Sequence, residues 1–386
     1  MFVDYVLNGQ GHGPVAEQLV GTHYDPGLLR PYIDGRGRKV VMVHTGQFAH
    51  NAETGRSEPV YKKRLVSELV ANGMYSPVFN ATSLRKQEWV QLDSVVLKAA
   101  RARLRAWADL AGSNTYGGFN GMSRTVLEHE AMSDPGEAVV DMDGLTDGRS
   151  DRPRFDLQGL PLPITHSDFW FSSRQLAVSR NTGTPLDSTM AEAAGRRVAE
   201  MIEKTTIGTI TGMKLSKVGS LLTTAPQVYG YTNFPSRITK TDLTTPTGSN
   251  AASTVADVLE MRDMLYDVNR FGPFMLYHSK DWDAYLDNDY ILTGGNVATQ
   301  TLRERLRAIE GIQDVRRLDF LTDTFTLLMV QMTPDVARAV VGMDLTTVQW
   351  ESSGGMRLNF KVLCIHVPQM RADFNGSTGI LHATTA

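Results

Sequence analysis

Apolar residues recur at helical spacing in two long stretches of the chain and predict two amphipathic helices. From Trp89 to Trp107 they return every three or four residues, which predicts one continuous helix. A second such period starts after Asp187, a favourable N-cap residue, and runs to about Gly208. At about 1.5 Å per residue, this second helix would be roughly 30 Å long. The N-terminal residues 1–83 contain only short apolar runs between turn-forming clusters, and we expect an arm that lies over a neighbouring surface.

Shorter periods in the second half of the chain predict an alternation of helices and strands. Helices are predicted over 255–266 and near 300–309, and buried strands over 273–279 and 324–332. The stretches 345–353 and 356–370 alternate on either side of a glycine turn, which predicts an antiparallel strand pair. Because 386 residues exceed the size that a single hydrophobic core serves, we expect two or more lobes.

The segment 114–165 is acidic, rich in glycine and proline, and contains no lysine. Its β-prone pieces at 125–130 and 136–143 predict a two-stranded excursion from the rest of the fold. A segment of this length without a core of its own is expected to find its packing partner elsewhere.

The distribution of charge excludes one class of protein and leaves a local candidate surface. With a formal net charge of −3, the chain is not a globally basic nucleic-acid binder. The first predicted helix nevertheless has one basic side. This side is formed by Arg85, Lys86, Lys98, Arg101, Arg103 and Arg105. It is either a solvated helix face or a surface that faces a polyanion.

His166, Ser167 and Asp168 stand side by side and are the residue types of a serine hydrolase. Adjacent side chains of an extended segment point to opposite faces, so these three cannot form a nucleophile–base–orienter chain. The sequence also lacks a G-x-S-x-G nucleophile elbow. We therefore expect a strand that enters a core through Phe169 and Phe171.

No catalytic, cofactor or metal site is predicted elsewhere in the chain. The nine histidines lack metal-ligand spacing, and the glycine-rich pieces 9–13 and 34–38 lack the signature of a phosphate-binding loop. The single cysteine, Cys364, lies in an apolar run and is expected to be a buried, inert thiol. No stretch is apolar over the length of a membrane span, and the N-terminus lacks a secretory signal pattern, so we expect a soluble protein made in a cytoplasm.

Five stretches of the sequence, taken in order, resemble one family of shell proteins. They are LRKQEWVQLDSVVLKAARARL (84–104), LPLPITHSDFWFSSRQLAVSR (160–180), TPLDSTMAEAAGRRVAEMIEKTTIGTITG (184–212), GPFMLYHSKDWDAYL (272–286) and VVGMDLTTVQWESSGGMRLNFKVLCIHV (340–367). Their order resembles the major capsid proteins of tailed phages, with the Hong Kong 97-like fold, and in detail the related encapsulins. Two features depart from encapsulins: a long arm precedes the first helix, and Met201 follows Glu200 where many encapsulins carry an acidic pair. The encapsulin cargo groove is therefore not carried over.

The resemblance implies an α+β chain with an N-terminal arm, an extended β-hairpin loop, a peripheral domain that contains a long spine helix, and an axial α/β domain. The implied division is 1–83 for the arm, 84–113 for the first helix of the peripheral domain, 114–165 for the extended loop, 166–212 for the peripheral domain with the spine helix, 213–335 for the axial domain, and 336–386 for the returning peripheral strands and the C-terminal tail.

The function that the resemblance implies is structural rather than enzymatic. Many copies would form the hexamers and pentamers of an icosahedral phage head that encloses double-stranded DNA, bound without sequence preference. A separate scaffolding protein, a portal and a cement protein are implied partners, with no cofactor and no membrane. The expected location is the virion, after assembly in the host cytoplasm. Since the extended loop lacks lysine, a lysine–asparagine cross-link cannot start from it.

The resemblance also implies where these contacts lie. The basic side of the first helix would face the lumen of the shell and contact DNA. The extended loop would contact neighbouring subunits through Glu128, Glu130, Asp141, Asp143, Arg152 and Arg154. Two alternatives stay open: an encapsulin-type nanocompartment that encloses enzyme cargo, and a hydrolase that uses His166 or Ser167.

Overall fold

The computed structural model describes residues 30–51, 56–71, 84–101, 104–132, 142, 155–182, 188–210, 228–247, 250–291, 297–373 and 375–385. The strands are β1 (Tyr32–Ile33), β2 (Lys39–Asn51), β3 (Arg56–Leu65), β4 (Thr115–Tyr116), β5 (Val126–Met132), β6 (Phe155–Pro161), β7 (Thr165–Ser172), β8 (Ile238–Leu243), β9 (Phe274–His278), β10 (Asp289–Ile291), β11 (Val297–Thr301), β12 (Ile312–Arg317), β13 (Leu327–Gln331), β14 (Ala337–Ser352), β15 (Arg357–Met370) and β16 (Ile380–Thr385). The helices are α1 (Val66–Ala71), α2 (Lys86–Arg101), α3 (Ala106–Ser113), α4 (Ser173–Thr182), α5 (Thr189–Ile207), α6 (Ala251–Asp267), α7 (Asp283–Leu286) and α8 (Leu302–Arg307).

A four-stranded sheet of order β4-β14-β15-β7 is built around one long antiparallel hairpin. β14 and β15 pair along nearly their whole length, as the alternating pattern predicts. Ser353, Gly354 and Gly355 form the turn between them with positive φ angles, a backbone region in which glycine avoids a Cβ clash.

A five-stranded sheet of order β12-β9-β13-β16-β8 forms the second framework of the chain. Its central strands are buried on both faces, so they read as continuous apolar runs rather than as alternating ones. In β9, Met275 and Tyr277 face one hydrophobic core while Phe274 and Leu276 face another. The predicted helix that precedes β9 and the predicted strand that pairs with it are both present, as α6 and β13.

The last strand, β16, lies in the five-stranded sheet. Residues 336–386 were expected to form returning peripheral strands and a C-terminal tail, with no strand predicted in that tail, whereas β16 is hydrogen-bonded between β13 and β8. Ile380, Leu381 and Ala383 are buried there. A six-residue strand carries no local signal of its partners, because they lie far away in the sequence.

The larger hydrophobic core joins the two sheets. It contains Trp89 and Trp107 from the helices, Phe169 and Phe171 from β7, and Tyr277 from the five-stranded sheet. Phe169 and Phe171 are 4% and 6% exposed, which confirms that this strand enters a core. The chain is therefore an α+β fold in which the sheets share one continuous packed interior.

The prediction that the first helix is continuous is wrong. The expected single helix from Trp89 to Trp107 is two helices, since α2 ends at Arg101 and α3 begins at Ala106. The apolar period continues across the break because α2 and α3 pack against the same core. The backbone N–H groups of Ala106 and Trp107 donate to the carboxylate of Glu203, and this fixes the start of α3.

The N-terminal region contains more regular structure than the sequence suggested. β1, β2 and β3 form an antiparallel sheet, and α1 follows it directly. Val41, Val66 and Leu69 form its small private core. The strands were not predicted because this core has only three residues. In addition, β3 contains three consecutive basic residues, 62–64, where a half-buried strand would alternate polar and apolar residues.

The extended loop begins and ends as an antiparallel hairpin. β5 pairs with β6, from Val126 opposite Pro161 to Met132 opposite Phe155. The first predicted strand, at 125–130, is confirmed. The second predicted strand, at 136–143, lies outside the described residues apart from residue 142, and β6 is the partner instead.

The long helix α5 is confirmed over Thr189–Ile207, and Gly208 ends it with a φ of 99°. Asp187, the predicted N-cap, lies outside the described residues. α5 packs closely on α2 at Gly195, where an added Cβ would lie 2.8 Å from the carbonyl oxygen of Val96. The two helices can therefore approach this closely only while residue 195 has no side chain.

We predict that Gly195→Ala destabilises the fold by about 1–3 kcal/mol, because the new methyl group forces the backbones of α2 and α5 apart. Gly112→Ala in α3 is the matched control, since no atom lies within 4 Å of its added Cβ. The control should be neutral or more stable by up to about 1 kcal/mol, through helix propensity alone. Urea unfolding of both variants measures the difference, and equal stabilities would contradict this packing account.

Candidate functional surfaces

The His166–Ser167–Asp168 run lies on β7, the outer strand of the four-stranded sheet. His166 Nδ1 is 3.4 Å from Asp168 Oδ1, and both side chains are about half exposed. Lys361 on the neighbouring strand β15 reaches the same carboxylate at 3.6 Å. Ser167 points to the opposite face, as strand alternation requires. The run is therefore an exposed polar ladder, and its geometry does not support the hydrolase alternative.

A buried carboxylate, Glu203 of α5, holds the start of α3. Its side chain is 2% exposed and accepts hydrogen bonds from the N–H of Ala106 at 2.7 Å and of Trp107 at 3.1 Å. A helix leaves its first N–H groups without partners, and a carboxylate also favours the positive end of the helix dipole. Burial raises the pKa of Glu203, and the backbone hydrogen bonds act against that rise.

The next acidic residue of this region, Asp109 of α3, connects the helix to the five-stranded sheet. Its carboxylate accepts a hydrogen bond from the Tyr277 hydroxyl at 3.0 Å and pairs with Arg316 of β12. Tyr277 stacks on Tyr231, with ring centroids 6.1 Å apart. Burial raises the pKa of Asp109, against the lowering effect of Tyr277 and Arg316. Glu203 and Asp109 together form a polar junction between α5, α3 and the five-stranded sheet.

Sequence reasoning missed this junction for an identifiable reason. Glu203 lies at a position that reads as the polar side of an amphipathic helix, and Asp109 lies beyond the assumed end of the first helix. The sequence gives no signal for it, because the helix ends near Arg105 only in the structure, where the freed N–H groups of α3 find their acceptor at Glu203.

The basic side of the first helix is exposed where the structure describes it. Arg85, Lys86, Lys98 and Arg101 are exposed, while the opposite side of α2 is buried. Arg105 is also exposed, but its guanidinium donates to the backbone carbonyl of Arg317 at 3.2 Å. Arg103 lies outside the described residues. The structure thus places three of the six cations on α2 and Arg85 directly before it, and assigns Arg105 to a contact within the chain.

Two of the six loop residues expected to contact neighbouring subunits lie among the described residues. Glu128 and Glu130 are exposed on β5, on the same face of the hairpin, since they are two residues apart. Asp141, Asp143, Arg152 and Arg154 lie outside the described residues. The hairpin also exposes apolar side chains, with Val126 at 45% and Leu157 at 62% exposure.

The arm is attached to α2 through Trp89. The indole Nε1 of Trp89 donates to the carbonyl of Pro31 at 3.1 Å, and the Arg30 guanidinium lies 4.7 Å above the indole ring. Arg30 also pairs with Asp93, and the N–H of Ile33 donates to the carbonyl of Leu84 at 3.2 Å. The β1–β3 sheet therefore begins directly beside the start of α2.

The remaining candidate chemistry concerns thiols, metals and membranes. Cys364 is buried, as predicted, and burial raises the pKa of its thiol to about 12. Within the described ranges, His, Cys, Asp and Glu side chains do not gather into a group of three suited to hold a metal ion. None of the helices in the described part of the chain combines the length and apolarity of a membrane-spanning segment.

The architecture is shared with solved shell structures. A virus-like particle from Pyrococcus furiosus superposes with a TM-score of 0.50 at 16% identity, over 76% of this chain and 98% of that chain. The capsid of Myoviridae phage XM1 superposes with a TM-score of 0.50 at 11% identity, over 71% of this chain and 90% of that chain. The chain therefore has the Hong Kong 97-like fold that its sequence resembles.

The sequence itself matches one described family. The profile of that family covers residues 80–383, so the chain belongs to the family of unknown function DUF6260. No curated protein matches the sequence.

We predict that Glu203→Ala destabilises the protein by about 2–4 kcal/mol, because two buried N–H groups of α3 lose their acceptor. Glu192→Ala on the same helix is the control, since Glu192 is exposed and its loss should cost less than about 0.5 kcal/mol. Chemical unfolding of the two variants compares them directly. A Glu203→Ala variant as stable as the control would show that the cap contributes nothing.

The raised pKa of Glu203 predicts a pH dependence with a defined sign. Between the ordinary glutamate pKa and the raised native value, the folded protein holds a proton that the unfolded chain releases. The free energy of unfolding that this group contributes therefore falls as pH rises through that window. Relative to Glu203→Gln, the wild type should lose stability between pH 5 and pH 8, as measured by urea unfolding at both values. A relative gain would reverse the sign and refute the assignment.

Proposed function

We propose that this chain is a major capsid protein whose copies form the hexamers and pentamers of an icosahedral phage head around double-stranded DNA. The observation that carries the proposal is the Hong Kong 97-like fold, matched over most of the chain by two solved shell structures. The role is structural: the residues that resembled an active site form an exposed ladder on β7.

The proposed division of the chain follows that fold. Residues 1–83 are the arm, 84–113 the first helices of the peripheral domain, and 114–165 the extended loop. Residues 166–212, with α5 as the spine, and β14–β15 complete the peripheral domain. Residues 213–335 form the axial domain, to which β16 is added because it pairs within the five-stranded sheet.

The described hairpins support assembly in physical terms. The β1–β3 sheet has a three-residue core, and the β5–β6 hairpin exposes Val126 and Leu157. A two-stranded hairpin such as β5–β6 is marginal in water unless another surface covers it. Neighbouring copies of the chain supply such surfaces in a shell, so the protruding elements are explained without a further partner.

Charge supports two contacts of the proposed shell. The exposed cations of α2 would lie toward the lumen and bind phosphates without sequence preference. The acidic loop, through Glu128, Glu130 and the predicted residues beyond β5, would lie against basic surfaces of adjacent subunits and help to set their register. A separate scaffolding protein, a portal and a cement protein complete the proposed partners, and the virion is the proposed location.

The encapsulin-type nanocompartment is the second candidate, and it shares the fold. The virus-like particle from Pyrococcus furiosus is covered almost completely by the match, which favours keeping it. The two candidates differ in what the shell contains, so the contents of the particles separate them.

Negative-stain microscopy of the purified full-length protein, followed by nuclease protection, tests the proposal. Closed particles that protect double-stranded DNA from nuclease support the phage head. Closed particles filled with protein would move the assignment to the nanocompartment. A protein that stays monomeric under all assembly conditions would refute both.

We predict that Leu157→Asp prevents particle formation while the subunit remains folded, because it places a charge where the β5–β6 hairpin contacts its neighbour. Leu157→Ile is the matched control and should assemble like the wild type, since it keeps an apolar side chain of equal size. Size-exclusion chromatography with light scattering measures assembly, and circular dichroism measures folding. Assembly of Leu157→Asp at the wild-type level would place this residue outside the contact.

A further inference from the structure

The β1–β3 sheet of the arm, which we call the arm sheet, is strongly basic in a chain that is acidic overall. Residues 30–51 and 56–71 contain eight arginines and lysines but only three aspartates and glutamates, whereas the whole chain has a net charge of −3. This concentration lies in an element that sequence reasoning treated as irregular, so none of its cations was assigned a role.

The strand register places three of these cations on one face. Paired residues of an antiparallel sheet share a face, and Lys39 pairs with Ile33, Arg64 with Val41, and Lys62 with Val43. Lys39, Val41 and Val43 are two residues apart along β2 and so point the same way.

We call Lys39, Lys62 and Arg64 the arm cation row. All three side chains are exposed. Lys62 and Arg64 are two residues apart on β3 and so lie about 7 Å from each other, while Lys39 lies on the same face of the neighbouring strand β2.

The arm cation row continues into the basic end of α2. Ile33, the partner of Lys39, also forms a parallel bridge with Arg85. Arg85 and Lys86 are exposed at that point. The arm sheet and the first turn of α2 therefore present one basic surface made from two separate parts of the sequence.

Two acids beside this surface have partners of their own. Asp34 accepts hydrogen bonds from the N–H groups of Arg36 and Arg38 and pairs with Lys63. The Arg38 backbone hydrogen bond holds the pKa of Asp34 at about 2. Glu88 accepts from the N–H of Arg85. The carboxylates of Asp34 and Glu88 are thus used by the loop and the helix start.

The surface is suited to a polyanion rather than to a protein partner. Protein interfaces centre on apolar anchors, but Val41 on this face is already covered by Val66 and Leu69 of α1. What remains outside is an array of long, flexible cations. Such arrays bind phosphate backbones through counterion release and need no base-specific contact.

We infer that the arm cation row, together with Arg85 and Lys86, binds the phosphate backbone of double-stranded nucleic acid. This inference rests on the proposed function for the presence of DNA inside the shell, and it assigns DNA contacts to the arm as well as to α2.

The test measures binding of the full-length protein to a fluorescent DNA duplex at several salt concentrations. The variant Lys39→Gln/Lys62→Gln/Arg64→Gln is compared with Arg174→Gln/Lys280→Gln/Arg305→Gln, which removes equal charge from positions away from the arm. If all three cations contact phosphates, the slope of log affinity against log salt should fall by about 2 to 3, whereas the control keeps the wild-type slope. Lys39→Arg/Lys62→Arg/Arg64→Lys retains the charge and should restore both affinity and slope.

Particle formation by the same variants separates this inference from the proposed function. Wild-type particles together with equal DNA affinity and slope for the arm variant and its control would overturn the inference and leave the capsid proposal standing. Loss of particles in the arm variant, with unchanged DNA binding, would overturn it by identifying the row as a contact with a second copy. A wild-type protein that binds DNA through the row but forms no particles would refute the capsid proposal alone.

Discussion

The arrangement of this subunit depends on one buried carboxylate. Glu203 of α5 accepts the first free N–H groups of α3 and thereby fixes where the chain turns after α2. α3 then carries Trp107, which stacks on His366 of the four-stranded sheet at 5.1 Å, and Asp109, which bonds to Tyr277 of the five-stranded sheet. The start of α3 therefore connects both sheets to the long helix α5. A buried charge is costly unless it is hydrogen-bonded, and here the helix N–H groups supply those bonds.

Packing and polarity reinforce each other around α5. Gly195 lets α2 approach closely on one side, and Gly208 ends the helix with a positive φ angle. One hydrophobic core contains side chains from both sheets and from α5, packed as densely as in other protein interiors. The arm sheet has a separate core of three residues, and the β5–β6 hairpin exposes Val126 and Leu157.

Local signals predicted the elements whose stability is local or whose pattern is strong. α5, the β14–β15 hairpin and the core role of Phe169 and Phe171 follow from periodicity, turn residues and apolar neighbours. The break between α2 and α3 was not predictable, because the acceptor that fixes it lies about a hundred residues away at Glu203. The arm sheet was missed because its polar positions are basic on both faces, and β16 because its partners are distant in sequence. The surfaces proposed for DNA and for neighbouring copies were predictable only as charge patterns.

The proposed function depends on surfaces of the protein rather than on a pocket. The exposed cations of α2, the basic arm and the acidic hairpin are useful only when many copies surround a polyanion. A cryo-electron microscopy reconstruction of the wild-type particle tests this claim most directly. The account predicts a closed shell in which the cations of α2 line the lumen and each β5–β6 hairpin lies on an adjacent subunit. A shell with those cations on its outer surface, and with each hairpin folded back on its own chain, would contradict it.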